Sequence, residues 1–100
     1  MNKHIVYILY SPSTDHFYIG ETIDFENRLS EHNSHFFAGS FTSRADDWIT
    51  FLTLECKNRT HARMIESHIK RMKSKSYIRN LKKYPEMAEK LIAKYDAPDC

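Results

Sequence analysis

Glycine and proline are scarce in this sequence, two and three residues in 100. That excludes collagen-like and low-complexity readings, which need these residues in bulk. No apolar run approaches the ~18–20 residues that crossing a bilayer takes. The first residues, Met-Asn-Lys-His-Ile-Val-Tyr, hold too short an apolar stretch for a secretory signal and no small-residue cleavage site. A cytoplasmic location with no membrane partner is therefore expected. Cysteine is as rare: Cys56 and Cys100 stand far apart, outside any Cys-x-x-Cys or Cys/His ligand spacing. Neither a disulfide nor a zinc site is expected. Cys56 reads as a small apolar residue ending a strand, and Cys100 as a thiol near a frayed terminus.

What is present suits one ordinary globular domain. The chain is 41% hydrophobic and 28% charged, enough apolar material for a single core and no more. Residues 1–100 are read as one domain, with a core over about 3–83 and a last helix over about 85–95. The net charge of +2 is unevenly spread. Between Lys57 and Tyr84 lie ten bases and one acid, Glu66, a net of 10 − 1 = +9 that leaves −7 elsewhere. Such asymmetry points either to a face for a polyanion, nucleic acid above all, or to a solvated helical surface.

Ile5-Val6-Tyr7-Ile8-Leu9-Tyr10, bounded by Ser-Pro-Ser-Thr-Asp, reads as a strand and turn, and His16–Gly20 as its hairpin partner. Unbroken apolarity in the first strand predicts cover on both its faces. Thr22 or Asp24 caps a helix from near Ile23 to about Asn33, with Phe25, Leu29 and His32 on one side. Residues 33–47 read as an exposed loop. Trp48–Cys56 is a third strand. A helix runs from Thr60 to about Lys73, with Ala62, Ile65, Ile69 and Met72 as its buried stripe. Ser74–Lys83 is basic and helical or turn-like, and Pro85 opens a last helix burying Met87, Ala88, Leu91 and Ile92. The order β-β-α-β-α-α makes a small α/β (α+β) fold, since three strands cannot bury their faces without helices.

A few residues could do chemistry. Tyr7 and Tyr18 occupy one hairpin, where tyrosine is more often a packing residue. Arg28 and His32, four apart on one helix face, suit a phosphate or a reacting water held between a cation and a titratable ring. They equally suit an ordinary polar pair. Glu66 is either an ion-pair partner of Arg63 and Lys70, worth only ~0–1 kcal/mol if exposed, or a ligand for a hard cation.

Taken in order, Ile5-Val6-Tyr7, Tyr18-Ile19-Gly20-Glu21-Thr22, Arg28-Leu29-Ser30-Glu31-His32-Asn33, Glu66 and Ile69-Lys70-Arg71-Met72-Lys73-Ser74 resemble the GIY-YIG endonuclease superfamily. The likeness is to its small single-domain bacterial members, related to the amino-terminal nuclease domain of the excision-repair incision enzyme. It covers about residues 3–83, and Ile5 stands where the name motif has its first glycine. The resemblance implies a three-stranded antiparallel sheet flanked by helices and a DNA endonuclease using one Mg²⁺ or Mn²⁺. It implies catalytic roles for Tyr7, Tyr18, Arg28, His32 and Glu66, with Glu66 the sole protein ligand of the metal. One carboxylate suffices for an ion that keeps several waters.

The resemblance makes Tyr7 the general base. A tyrosine, with pKa near 10, needs that value lowered by about 2–3 units to act at pH 7, and Arg28, the metal and His32 are the groups expected to lower it. His32 is the alternative base, being already near 6.5. Lys70, Lys73, Lys75, Arg79, Asn80 and Lys82 are candidate nucleic-acid contacts. Nothing in the chain reads bases, so cleavage is expected to be non-specific or selective for structure, branched or damaged DNA included. No small-molecule cofactor is expected, and a homodimer or accessory protein remains open as a partner. The competing readings are a nucleic-acid-binding module without turnover and a small interaction domain using Phe36, Phe37, Phe41 and Trp48.

Overall fold

The computed structural model describes residues 3–34 and 45–96. Strands β1 (His4–Ser11), β2 (His16–Thr22) and β3 (Ile49–Cys56) form one antiparallel sheet in the order β2-β1-β3. Strand β1 is central, so Val6, Tyr7, Ile8 and Leu9 are all buried, as its unbroken apolarity predicts. Side chains alternate across the sheet. Val6 and Ile8 therefore enter one core with Leu54, Cys56 and three helices, whereas Tyr7 and Leu9 enter another with Trp48, Phe25 and Leu29. The β1–β2 turn closes at Asp15, which takes a left-handed conformation (φ 53°) that Asp tolerates. Its carboxylate accepts from the Tyr10 hydroxyl at 2.7 Å.

Helix α1 (Phe25–Asn33) covers the Tyr7 face, while α2 (Arg59–Met72), α3 (Lys75–Lys83) and α4 (Pro85–Tyr95) build the other core. The first three start on side-chain caps: Asp24, Asn58 and Ser74 accept from Asn27 N, His61 N and Tyr77 N, each cap being worth about 1 kcal/mol. Pro85 opens α4 in place of a cap. The last strand-to-helix connection is tied down by His61. Its Nδ1 accepts from Lys57 N (3.0 Å), which puts the ring proton on Nε2, donated to Ile92 O of α4 (2.8 Å).

The structure differs from the sequence reading in several places. Residues 75–83 are a helix of their own, which adds one to the expected order. Helix α1 begins at Phe25, because Asp24 takes the cap, and Ile23 stays outside it, 52% exposed. Met72 is not part of the buried stripe but is 45% exposed: it is the last residue of α2, where Lys73 (φ 48°) turns the chain away. Trp48 precedes β3 and is buried, 2% exposed, so it cannot serve as a contact surface. Phe36, Phe37, Phe41 and Cys100 lie outside the described residues.

Candidate active site

The hairpin register sets the site. Tyr7 pairs with Gly20 and Leu9 with Tyr18, so Tyr7, Tyr18 and Gly20 share the face that α1 covers. The Tyr7 side chain lies flat across β2 at Gly20. A Cβ there would stand 2.5 Å from the Tyr7 hydroxyl oxygen and 2.6 Å from the ring carbon bearing it. Glycine is therefore the residue that lets this hydroxyl cross β2, a role its place in Tyr-Ile-Gly did not reveal. Counting back from the turn to the Tyr7–Gly20 pair was the signal available.

Around that hydroxyl the helix supplies two groups one turn apart. His32, buried, has Nε2 at 2.9 Å from the Tyr7 oxygen. Its ring lies 4.8 Å from that of Tyr18 and 5.9 Å from that of Tyr7. Arg28 hydrogen-bonds the Tyr7 side chain and also pairs through Nε with Glu31 at 3.3 Å. With a guanidinium donating to the Tyr7 oxygen, the hydroxyl proton is left for His32 Nε2. The order Arg28, Tyr7, His32 is thus a donor-to-acceptor chain ending on a neutral imidazole.

The protein's own electrostatics agree with that direction. Burial, then the Tyr18 phenol, raise the Tyr7 hydroxyl above the ordinary tyrosine range. Among the protein's own groups Arg28 pulls it down but is outweighed, and Glu66 adds to the rise. His32 is pushed down to about 4, by burial first and by the Arg28 charge second, so it is neutral at pH 7. Glu66 belongs to α2, the helix packed beside β2, and its charge acts on the Tyr7 phenol through space. Its side chain is 18% exposed and pairs with Lys70 across one turn at 2.9 Å. Tyr7, Arg28 and His32 are thus in direct contact, the Tyr18 ring lies beside that of His32, and Glu66 acts on the Tyr7 phenol through its charge.

Two residues outside the predicted set support that arrangement. Asn33 grips Trp48 twice, Nδ2 donating to its carbonyl at 2.9 Å and Oδ1 accepting from its N–H at 2.8 Å. Asp47 accepts from Ser11 Oγ at 2.6 Å and from Ser13 N at 2.9 Å. Both lock the chain entering β3 against the Tyr7 face. Their clue was only that each is a polar residue at the end of an element.

The basic candidates divide in two. Lys70, Lys73 and Lys75 line a groove of about 250 Å³ between β2 and the α2–α3 junction. Lys75, Arg79 and Lys82 form one stripe of α3 and are also engaged within the protein. Lys75 Nζ donates to Asp15 O at 2.6 Å, Arg79 lies 3.8 Å from the Asp15 carboxylate, and Lys82 sits 4.7 Å over the Phe51 ring. Asn80 is half-buried on the same helix.

A family model for the GIY-YIG catalytic domain matches residues 3–83. The chain belongs to the GIY-YIG family. That is a nuclease-type family, for which DNA is the substrate class and a divalent metal the general requirement. No curated protein and no solved structure matches the chain. The donors present suit a hard cation of that kind. Glu66 offers a carboxylate, an oxygen donor of the kind hard cations take, and no cluster of three or more His, Cys, Asp or Glu exists among the described residues.

Proposed function

We propose that this GIY-YIG chain is an endonuclease that hydrolyses DNA phosphodiester bonds with one Mg²⁺ or Mn²⁺. The observation that supports this most is the contact of the Tyr7 hydroxyl with Arg28 and neutral His32, with the Glu66 carboxylate acting on the same phenol through its charge. A pocket built for binding alone has no use for a carboxylate set among cations. Residues 3–83 carry the activity in this reading, and α4 completes their core.

Neither ring is a ready base at pH 7. Charging His32 against a pKa of about 4 costs roughly 4 kcal/mol, and ionising the raised Tyr7 costs at least as much. A relay avoids forming either ion first: as the Tyr7 oxygen takes a proton from the attacking water, its own proton moves along the existing bond to His32 Nε2. Arg28 stabilises the negative charge that develops on the phosphate and on the phenol. Tyr18, whose ring lies beside that of His32, orients the water or a phosphate oxygen through its hydroxyl. Glu66 is the protein ligand of the divalent cation, which when bound supplies positive charge to the phosphate and to the leaving oxygen.

Among the described residues, nothing near Tyr7 resembles a device for reading bases, which supports selectivity for DNA structure, or none. The test is cleavage of a panel of duplex, nicked, branched and single-stranded DNA with Mg²⁺, with Mn²⁺ and with EDTA. Metal-dependent cleavage that EDTA abolishes is the expected result. Binding to DNA with no cleavage under any metal would overturn the proposal in favour of a binding module.

A further inference from the structure

Helix α2 turns about 100° per residue, so its polar positions occupy separate flanks. Glu66 and Lys70 fall beside β2, His68 falls against α4, and Thr60, Arg63, Ser67 and Arg71 come up on the outward face. Over that face lies a shallow cleft of about 490 Å³, walled by these four residues, Met64 and Tyr95 of α4. The site described above uses none of them.

The cleft is ordered and cationic. Arg71 Nη2 donates to the Tyr95 hydroxyl at 3.3 Å, and that hydroxyl passes its proton toward His68 Nδ1 at 2.9 Å. Burial and the charges of Lys94 and Arg71 keep His68 below its usual range, neutral and able to accept. Lys94 lies 5.5 Å over the Tyr95 ring. Among the described residues no carboxylate pairs with Arg63, Arg71 or Lys94, and neighbouring Asp96 is taken by Lys57 at 3.5 Å. Like charges left together on one face repel one another, and an external anion relieves that repulsion.

The shape says which anion. The cleft is open and holds no enclosed pocket for a single small ion. Arg63 and Arg71 stand two turns apart, about 12 Å along the axis, and Thr60 and Ser67 set hydroxyl donors among them. At its other margin the row runs into Lys70, which touches Glu66. An extended polyanion satisfies such a row, and guanidinium groups suit its phosphates best.

We infer that the outward face of α2, together with Tyr95, holds backbone phosphates of the DNA whose cleaved bond lies at the Tyr7–Glu66 pocket. The inference rests on the nuclease reading above, and it places DNA across α2 as well as in the groove by β2.

Binding of fluorescein-labelled duplex DNA, followed by anisotropy across a salt series in EDTA, tests it on the full chain. Replacing both arginines, Arg63→Ala with Arg71→Ala, should weaken binding equally for unrelated sequences. The slope of log affinity against log salt should become shallower by about 0.9 for each phosphate that an arginine no longer neutralises. Arg71→Lys should recover most of its share, and Lys90→Ala, on the exposed side of α4, should leave the slope unchanged. Thermal melts confirm that each variant is folded. A wild-type slope in the double variant, with cleavage by the wild type in Mg²⁺, overturns this inference alone. A shallower slope in a protein that never cleaves overturns the nuclease reading and keeps the face as a binding surface. No binding by the wild type overturns both.

Discussion

The Tyr7 hydroxyl oxygen lies 2.5 Å from the position a Cβ on Gly20 would occupy. The two residues pair across β1 and β2, so the phenol has no other route over the strand. Because both the ring and the strand are packed, neither gives way cheaply. Gly20→Ala should displace the hydroxyl from His32 and Arg28. We expect nuclease activity to fall at least tenfold, with a stability loss of about 1–3 kcal/mol typical of overpacking. Cleavage rates beside urea melts check this, and a fully active variant would show that the hydroxyl position is unimportant.

Glu66 pairs with Lys70 one turn away, partly in solvent. An i,i+4 pair of this kind is worth about 0.3–0.5 kcal/mol. Glu66→Ala should therefore melt within about 0.5 kcal/mol of the wild type, keep its salt-dependent DNA binding and lose cleavage. Equal loss of binding and cleavage would make Glu66 a folding residue instead.

Tyr18→Phe removes one oxygen and keeps the ring that lies tilted against His32. The expected outcome is a folded protein with a much lower rate and near-normal DNA binding. If activity is undiminished, Tyr18 serves packing only.

Stability should depend on pH through His32, whose folded pKa is about 4 against an ordinary 6.5. Between these values the unfolded chain binds the proton and the folded one does not, so stability rises with pH across that window. It should lose about 3 kcal/mol from pH 6.5 down to 4 on this account and be flat just above it. Tyr7 acts at the other end: its raised value means the folded state holds a proton the unfolded chain gives up, and stability falls once the pH passes the ordinary tyrosine range. Unfolding free energies measured against pH, with His32→Gln flattening the acid arm, decide the matter.

Asn33 satisfies both backbone groups of Trp48. Asn33→Ala leaves an N–H and a carbonyl without their partner, at a cost of about 1–3 kcal/mol. Since His32 is the adjacent residue, the rate should fall with the stability. Loss of neither in calorimetry and cleavage assays would mean the loop end is held by other contacts.

Much of this was legible in the sequence. β-branched and aromatic runs located the strands, and the i, i+4 spacing of Arg28 and His32 put both on the helix face that meets Tyr7. What escaped depends on contacts between distant segments. The engagement of Lys75 and Arg79 by Asp15 joins residues 60 or more apart along the chain, and no local pattern announces it. The rise at Tyr7 follows from how deeply α1 buries it, a property of packing rather than of its neighbours in the chain. Trp48 reads in sequence as the start of β3 and as a candidate contact aromatic, whereas Asn33 holds its backbone and its side chain is buried. Met72 kept the spacing of the buried stripe but fell on the final residue of its helix.

Helix α4 lies beyond the residues matched to the family, yet it adds Ala88 and Leu91 to the core that holds Ile65 and Leu54 and accepts the ring proton of His61. A minimal nuclease trimmed to the family boundary would expose that apolar surface to water and strand a buried imidazole. Anyone grafting this domain onto another protein should carry the chain through Tyr95 and fuse downstream of it.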